Sequence, residues 1–318
     1  MSDRISILVT GASGFIGSSL TNYLLEQGHE LKAVGRSKPT TPLRFLHGEL
    51  SDAALLSRAL QGVDCVVHLA GRAHQLRDEA RDPLASFRAV NLDLSVGLAR
   101  QAAMSGVRRF VFMSSIGVNG AATGIDPFVE DAVPAPHSDY AQSKLEAEQA
   151  LQMVAAEYGM ELTIIRPPLV YAGHAPGNFA RLLRIVAMGM PLPFGGLDNQ
   201  RSMIALDNLI ELIATCVVHP AAAGELFLAA DGDDLSTGDL VHILAEGMGR
   251  QARLFPMPAR LLSIGATLVG KRAIYTQLCE SLRVDASKAR RLLGWQPRKS
   301  ARQALLEAGS EYSRHCGR

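Results

Sequence analysis

The sequence predicts an α/β protein built on a doubly wound parallel sheet, with a smaller C-terminal lobe. Two observations predict this fold class: short β-rich runs alternate with helical stretches, and the first run enters a glycine-rich loop. The predicted strands lie near residues 5–10, 31–35, 43–47, 64–69, 109–114 and 161–166. Such alternation is typical of a parallel sheet covered on both faces, with ligands beyond the carboxyl ends of the strands.

The first strand leads into a loop with the spacing GxxGxxG and then into a helical pattern marked by Leu20, Tyr23 and Leu24. Glycines at this point let backbone N–H groups and a helix N-terminus face a pyrophosphate. The context predicts a Rossmann-type dinucleotide site rather than an ordinary tight turn. Its predicted cofactor contacts are Gly11, Ser13, Gly14, Phe15, Ile16 and Gly17.

The second strand ends at Gly35 and Arg36, where an NAD-specific site usually presents an acidic residue to the ribose hydroxyls. A guanidinium there can instead pair with the 2′-phosphate of NADP through charge-assisted hydrogen bonds. We therefore favour NADP(H) as the cofactor. NAD(H) is the alternative if Arg36 stacks on the adenine or faces solvent.

Beyond Tyr171 the alternation loosens, and helices are predicted near 236–249, 259–270 and 285–293. We assign residues 1–170 to a dinucleotide-binding Rossmann domain, with return segments near 204–230. Residues 171–203 and 231–318 are assigned to a substrate-binding lobe.

The composition is that of an ordinary globular enzyme, with 318 residues, 47% hydrophobic and 20% charged. A net charge of +1 gives no reason to expect nucleic acid as a partner. The chain lacks a signal-peptide layout, so we expect a cytoplasmic protein without a transmembrane segment. The cysteines have no metal-ligand spacing, which indicates reduced thiols and no metal site at Cys65, Cys216, Cys279 and Cys316.

Tyr140 and Lys144 lie four residues apart in a predicted helix, after a strand-like run that ends in Ser114 and Ser115. Positions i and i+4 share one face of a helix, so the ammonium can lie beside the phenol. A free phenol has a pKa near ~10, and a neighbouring cation favours the phenolate. The pair predicts a proton-transfer group, with a core tyrosine and a solvated lysine as the structural alternative.

Together these motifs resemble the extended short-chain dehydrogenases/reductases, and among them the NAD-dependent epimerase/dehydratase family that acts on nucleotide sugars. The resemblance covers almost the whole chain. It rests on TGASGFIG at 10–17, HLAG at 68–71, Asn91, the serines at 114–115, YAQSK at 140–144, RPPLVY at 166–171, Arg201 and LGWQP at 293–297.

The resemblance implies a role for each catalytic side chain. The family's spacing of 25 residues before the tyrosine selects Ser115 over Ser114 as the hydroxyl that bonds the reacting oxygen. Tyr140 would transfer the proton, while Lys144 would hold the nicotinamide ribose and lower the tyrosine pKa. For Asn91 a helix cap is the structural alternative. Further implied cofactor contacts are Glu49, Leu50, Leu69, Ala70, Gly71, Asn91 and Pro167.

The two residues directly after the catalytic hydroxyl narrow the choice of reaction. The 4,6-dehydratases of the family carry an Asp-Glu pair there, whereas this chain has Ile116 and Gly117 after Ser115. Neither side chain can transfer a proton, which leaves reduction of a 4-keto sugar or 4-epimerisation through a transient ketone. Asn119 replaces the tyrosine common in 4-epimerases, and Arg36 favours NADPH, the usual cellular reductant.

We therefore interpret the chain as an NAD(P)H-dependent reductase of the 4-keto group of a nucleotide sugar. It is similar to bacterial reductases that convert UDP-4-keto-6-deoxy-N-acetylglucosamine to UDP-N-acetylquinovosamine for O-antigen. The alternatives are a UDP-hexose or UDP-hexosamine 4-epimerase and, in another class, a non-catalytic NADP-binding regulator. The resemblance also implies a homodimer and UDP-sugar contacts at Asn178 and Arg201, either of which is otherwise a surface residue.

One apolar stretch, residues 255–269, is too short to span a membrane. Arg260 and Lys271 flank its apolar core, as in an interfacial helix. We favour a helix packed in the substrate lobe, or at a subunit contact, over contact with a membrane surface.

Overall fold

The computed structural model describes residues 4–72, 82–268, 270 and 272–316. Val269 of the apolar stretch, Lys271 beside it and the side chain of Cys316 lie outside that description. The strands are β1 (Ser6–Thr10), β2 (Glu30–Gly35), β3 (Arg44–His47), β4 (Cys65–His68), β5 (Arg109–Met113), β6 (Glu161–Arg166), β7 (Leu169–Tyr171), β8 (Met203–Ala205) and β9 (Leu226–Leu228).

Seven of these strands form one parallel sheet in the order β3-β2-β1-β4-β5-β6-β9. The first six strands agree with the predicted ranges to within one residue at each end. The order reverses direction between β1 and β4, and open sheets of this kind bind ligands at that point. The predicted fold class is confirmed.

Helices α1 and α7 cover one face of this sheet, and α2, α4 and α5 cover the other. The α-helices of the described residues are α1 (Phe15–Glu26), α2 (Ala53–Leu60), α3 (Pro83–Arg88), α4 (Leu94–Met104), α5 (Asp139–Tyr158), α6 (Gly177–Met188), α7 (Leu206–Val218), α8 (Thr237–Gly247), α9 (Ala259–Leu268), α10 (Arg272–Cys279), α11 (Ser287–Leu293) and α12 (Ala301–Cys316). A π-helical turn, Ala89–Asp93, runs directly into α4.

Two hydrophobic clusters lie on opposite faces of the sheet because successive strand residues point to opposite sides. Ile7 and Val9 of β1 belong to the cluster under α1 and α7, whereas Leu8 belongs to the cluster under α2, α4 and α5. β1 is therefore buried on both faces and fixes the start of the glycine-rich loop at the centre of the molecule.

A separate core forms between α6, α8 and α12 in the C-terminal half of the chain. The pair β7 and β8 makes a second, two-stranded parallel sheet beside it. Tyr171, at the end of β7, donates a hydrogen bond to Asp231 Oδ2 at 2.7 Å, and Asp231 also accepts from the backbone N–H of Ala205 in β8. After β8 the chain returns to the large sheet, where α7 packs against α1 and β9 pairs with β6.

The apolar stretch forms α9, and none of its residues is buried. Of the two favoured interpretations, packing inside the lobe is therefore wrong, and a subunit contact stays a prediction. The reason is geometric, because α9 packs mainly against α10 and leaves Leu261, Ile264 and Leu268 exposed. Within the described ranges no helix combines the length and the hydropathy needed to cross a bilayer.

Candidate active site

Two glycines of the glycine-rich loop, Gly11 and Gly17, lie so close to neighbouring backbone that a side chain would not fit at either position. Gly11 has a φ of +73°, and a β-carbon there would lie 2.8 Å from the backbone nitrogen of Ala70. A β-carbon on Gly17 would collide with the carbonyl oxygen of Gly11. The loop therefore packs against the turn after β4, which brings Leu69 and Ala70 of the predicted cofactor set next to it.

The start of α1 fits an anionic ligand. The N-cap residue of this helix is Gly14, which has no side chain and therefore cannot accept a hydrogen bond from the N–H groups of the first turn. Ser13 and Gly14 are exposed, while Phe15 and Ile16 are half-buried. The residues present thus fit the pyrophosphate of a dinucleotide.

The predicted adenosine contacts gather at one edge of the sheet. Arg36 comes directly after the end of β2 and Glu49 lies two residues after β3, and the two strands are paired in parallel at Gly35 and His47. Arg36 and Glu49 are exposed, whereas Leu50 is half-buried. The side chain of Arg36 can therefore reach a ligand at the carboxyl edge of the sheet.

The substitution Gly11→Ala is expected to abolish dinucleotide binding and to destabilise the protein. An L side chain in the left-handed region costs roughly 1–2 kcal/mol, and the contact with Ala70 adds to that cost. Gly28→Ala is the matched control, because Gly28 has a φ of +85° but nothing within 4 Å of its β-carbon position. Equal losses of dinucleotide affinity in the two variants, measured by titration calorimetry, would contradict this account of the loop.

The structure brings Ser115 and Tyr140 together. Tyr140 lies in the first turn of α5, whose N-cap Ser138 accepts a hydrogen bond from the backbone of Ala141 at 3.2 Å. The side chains of Ser115 and Tyr140 are hydrogen bonded to each other. Ser114 points elsewhere and donates to the buried carboxylate of Glu148, which agrees with the choice of Ser115 for the site.

Lys144 does not lower the pKa of Tyr140 in this structure. Its Nζ donates to the carbonyl oxygen of Met113 at 2.8 Å and lies 4.5 Å from the centre of the Phe112 ring. Burial raises the pKa of Tyr140 to about 12, and the hydrogen bond with Ser115 offsets only part of that rise. Burial also lowers the pKa of Lys144 to about 8 against the opposing charge of Glu148. The predicted lowering of the phenol pKa is thus not found, because the ammonium is directed to a backbone carbonyl.

Asn91 is not a helix cap, because it lies inside the π-helical turn before α4 and is fully buried. Its Oδ1 accepts from the backbone N–H of Arg72 at 2.8 Å, and its Nδ2 donates to Ser143 Oγ at 3.0 Å. A β-carbon on Gly71 would lie 3.1 Å from this Oδ1 and 3.4 Å from Lys144 Nζ. Asn91 therefore joins the loop after β4 to the helix that carries Tyr140 and Lys144.

A buried ionic network next to the predicted catalytic side chains was missed by sequence reasoning. Arg166 at the end of β6 forms two hydrogen bonds with Glu148, at 2.9 and 2.5 Å, and donates at 2.9 Å to Asn119 Oδ1. Glu148 also accepts from Ser114, and all four side chains are buried. Glu148 lies four residues after Lys144 in α5, so the helical spacing of a lysine and a glutamate was the available signal.

A second missed network connects the glycine loop to α4. The backbone N–H of Ala70 donates to the Thr10 hydroxyl, which lies 2.6 Å from His68 Nδ1, while His68 Nε2 lies 2.8 Å from Ser95 Oγ. Ser95 in turn donates to the carbonyl of Asn91. Burial and the charge of Lys144 lower the pKa of His68 to about 3, so the ring is neutral. Because the Ser95 hydroxyl donates to Asn91, it accepts from His68, which assigns the ring proton to Nε2.

The side chain of His137 also flanks the Ser115 hydroxyl. A β-carbon on Gly117 would lie 3.2 Å from His137 Cε1 and 3.3 Å from Ser115 Oγ, so ring and hydroxyl border the same small volume. His137 is exposed at the opening of the site. Sequence reasoning missed it because it belongs to none of the motifs.

The two predicted substrate residues outside the catalytic set meet at one helix. Arg201 donates from Nη1 to the carbonyls of Thr276 and Glu280, at the carboxyl end of α10, and Asn178 Nδ2 donates to Gln277 Oε1 at 2.6 Å. The carbonyl oxygen of Pro167, another predicted contact, accepts from the backbone of Ile116 at 3.0 Å. The structure thus joins Asn178 and Arg201 to α10, and both are half-buried rather than fully exposed surface residues.

The chain is similar to known proteins in sequence over nearly its whole length. The model of the NAD dependent epimerase/dehydratase family matches residues 7–230. A UDP-glucose 4-epimerase of Vibrio cholerae is 38% identical over 312 residues, covering 96% of this chain and 95% of the relative.

Solved structures agree at the level of the fold. UDP-glucuronic acid 4-epimerase from Bacillus cereus in complex with NAD superposes with a TM-score of 0.80 at 22% identity, over 99% of this chain and all of that one. A dTDP-glucose 4,6-dehydratase from Streptomyces venezuelae with bound NAD gives 0.79 at 25% identity, over 98% of each chain. The fold and the family match together place the chain among NAD-dependent enzymes with a Rossmann-type sheet.

More narrowly, the chain belongs to the NAD dependent epimerase/dehydratase family. This confirms the resemblance found in the sequence and the assignment of the protein as an enzyme. A preference for NADP over NAD stays a prediction, because the family is described as NAD dependent and both structural neighbours are complexes with NAD.

Proposed function

We propose that the protein reduces the 4-keto group of a UDP-sugar, with UDP-4-keto-6-deoxy-N-acetylglucosamine as substrate and UDP-N-acetylquinovosamine as product. The observation that carries the proposal is the hydrogen-bonded pair of Ser115 and Tyr140, set beside Lys144 at the carboxyl edge of the sheet. The resemblance to reductases of O-antigen synthesis supports the choice of sugar. The family relationship supports a nucleotide-sugar substrate in general.

Tyr140 would be the proton donor of the proposed reduction. Its phenol, with a pKa raised by burial, is protonated at neutral pH and holds the proton that a ketone reduction consumes. Ser115 would hydrogen bond the ketone oxygen, and Tyr140 would donate its proton to the same oxygen as the alcohol forms. The reduced nicotinamide, when bound, supplies the hydride that side chains cannot provide.

The position of Asn119 also supports reduction over epimerisation. Its side chain lies in the buried network, where it accepts from Arg166 and donates to the carbonyl of Val129 at 3.2 Å. This position therefore carries an amide bonded inside the network, where 4-epimerases commonly have the phenol of a tyrosine. The alternative reaction, 4-epimerisation of a UDP-hexose or UDP-hexosamine, is favoured by the Vibrio cholerae relative. A non-catalytic regulator is disfavoured because Ser115, Tyr140 and Lys144 are all present and grouped.

The test of the proposed reaction is cofactor stoichiometry with a 4-keto sugar nucleotide. Purified protein is mixed with UDP-4-keto-6-deoxy-N-acetylglucosamine and NADPH or NADH, and product and oxidised cofactor are counted together. We expect one equivalent of cofactor to be consumed for each UDP-N-acetylquinovosamine formed. Interconversion of 4-hydroxy epimers without net consumption would establish the epimerase instead, and binding without product would establish the regulator.

Arg36 is proposed to favour NADPH over NADH by contacting the 2′-phosphate. The substitution Arg36→Asp is expected to change the ratio of kcat/KM values for the two cofactors by about tenfold or more toward NADH, since hydrogen bonds to charged groups contribute roughly 1.5–3 kcal/mol. Arg44→Asp is the control, because Arg44 is exposed at the opposite end of the neighbouring strand. An unchanged ratio in Arg36→Asp would mean that this guanidinium does not contact the phosphate.

The homodimer and the cytoplasmic location belong to the same proposal. The faces of α4 and α5 carry exposed apolar side chains at Met104, Met153 and Tyr158, and the two helices pack side by side. These exposed apolar side chains support a contact in which α4 and α5 pack against the same two helices of a second copy. Light scattering coupled to size exclusion measures the mass directly, and a monomer at micromolar concentration would contradict the dimer.

A further inference from the structure

The hairpin of α9 and α10 combines exposed apolar side chains with an excess of positive charge. From Met248 to Cys279 the sequence has four arginines, one lysine and no aspartate or glutamate. The rest of the chain then has 27 basic residues against 31 acidic ones, so it is net acidic. The positive charge is therefore a local property of this segment.

The apolar side chains of α9 lie along one face and are open to solvent. Leu261, Ile264 and Leu268 are 58%, 56% and 82% exposed, and their spacing of three and four residues places them on the same side of the helix. Phe255, just before α9, is 39% exposed. Large apolar groups clustered in this way mark an interaction surface more often than scattered single residues do.

We infer that α9 is an interfacial helix by which the protein docks onto an anionic membrane surface. Its apolar face would enter the boundary between headgroups and acyl chains, while Arg260 and Arg272, both exposed, would meet acidic headgroups. Arg253, in the segment that leads into α9, is exposed as well. None of the described helices is able to span the bilayer, so the contact is peripheral.

Charge complementarity favours a membrane over a second copy of the chain. A twofold contact between two α9 faces would place Arg260 and Arg272 of each copy near the same residues of the other, with no acidic side chain of the segment to neutralise them. An anionic bilayer supplies the missing negative charge. The hairpin is also anchored to the body of the lobe, since α10 accepts the hydrogen bonds of Arg201 and Asn178.

The experiment is flotation of the full-length protein with vesicles of phosphatidylcholine alone or mixed with phosphatidylglycerol. We expect binding to the anionic vesicles that falls as salt is raised. The variant Arg260→Gln should weaken the partition coefficient about fivefold, and Leu268→Asn about tenfold. The controls are Arg58→Gln and Ile125→Asn, which change exposed residues outside the hairpin and should bind as the parent does.

Each alternative outcome is decisive. All variants are first required to keep parental circular dichroism and turnover in solution, because α9 lies outside the proposed catalytic group. The inference is wrong if the parent does not float, floats equally with both vesicle types, or floats unchanged in the Leu268→Asn variant. It is equally wrong if Leu268→Asn halves the mass in solution while neither protein binds vesicles, since the face would then join two copies.

Discussion

Replacing Tyr140 by phenylalanine is expected to lower turnover by about 10²- to 10⁴-fold or more, and to leave dinucleotide affinity nearly unchanged. The change removes the hydroxyl that is hydrogen bonded to Ser115, and with it the proton that the ketone oxygen must receive. It keeps the ring that lies edge-on to Phe87, at 6.0 Å between centroids. The loss should therefore be in kcat rather than in cofactor binding.

Tyr158→Phe is the matched control, because Tyr158 is the last residue of the same helix and is exposed. Its turnover should equal that of the parent. Stopped-flow measurement of cofactor oxidation gives the rate, and fluorescence titration gives the cofactor affinity. Parental turnover in Tyr140→Phe would remove the proton donor from the mechanism, and loss of cofactor affinity would mean that the hydroxyl has a mainly structural role.

The second large effect is expected at the ion pair buried beneath the site. Replacing Arg166 by methionine removes the guanidinium that is paired with the buried Glu148 carboxylate, and breaking a buried pair in this way costs about 3–5 kcal/mol of unfolding free energy. The Ser114 hydroxyl remains as a donor to Glu148, but it is neutral and cannot replace the guanidinium. Urea unfolding followed by circular dichroism measures the loss.

Two further variants separate this explanation from a general loss of packing. Arg302→Gln breaks an ion pair with Glu246 in which both side chains are more than half exposed, and it should cost less than about 1 kcal/mol. The double variant Arg166→Met with Glu148→Leu removes both buried charges and should recover part of the stability lost in the single variant. If the double variant is less stable than Arg166→Met, the loss comes from packing and not from an unpaired charge.

The sheet could be predicted from the sequence because its strands are short, continuous apolar runs with clear boundaries. β1, β4 and β5 are buried on both faces, and that burial requires the uninterrupted runs by which they are recognised. The strands β7, β8 and β9 were not predicted as separate strands. Each has only three residues, so none carries enough periodicity to stand out from a loop.

The candidate catalytic residues could be proposed from motifs, but their electrostatic surroundings could not be predicted. The i and i+4 spacing correctly puts Tyr140 and Lys144 on one helix, yet it does not reveal that Nζ is directed to the carbonyl of Met113. That bond depends on the end of β5, which is 31 residues away in the chain. The same holds for Glu148 and Arg166, whose pairing depends on how α5 packs on β6.

The exposure of α9 also could not be predicted from the sequence. An apolar helix with flanking basic residues has the same pattern whether it packs inside a lobe or lies on a surface. Only the three-dimensional arrangement shows that α10 is its main neighbour and that Leu268 faces solvent. The expectation of packing inside the lobe failed because periodicity identifies an apolar face and does not identify what covers it.

The central claim is that this active site moves hydrogen from a reduced nicotinamide to C4 of a keto sugar while Tyr140 supplies the proton. The most direct measurement is a reaction with UDP-4-keto-6-deoxy-N-acetylglucosamine and cofactor deuterated at the transferred position, with NMR of the sugar product. We predict one deuterium at C4 of the product for each cofactor oxidised. A product without deuterium at C4, or epimers formed with the added cofactor intact, would contradict the claim.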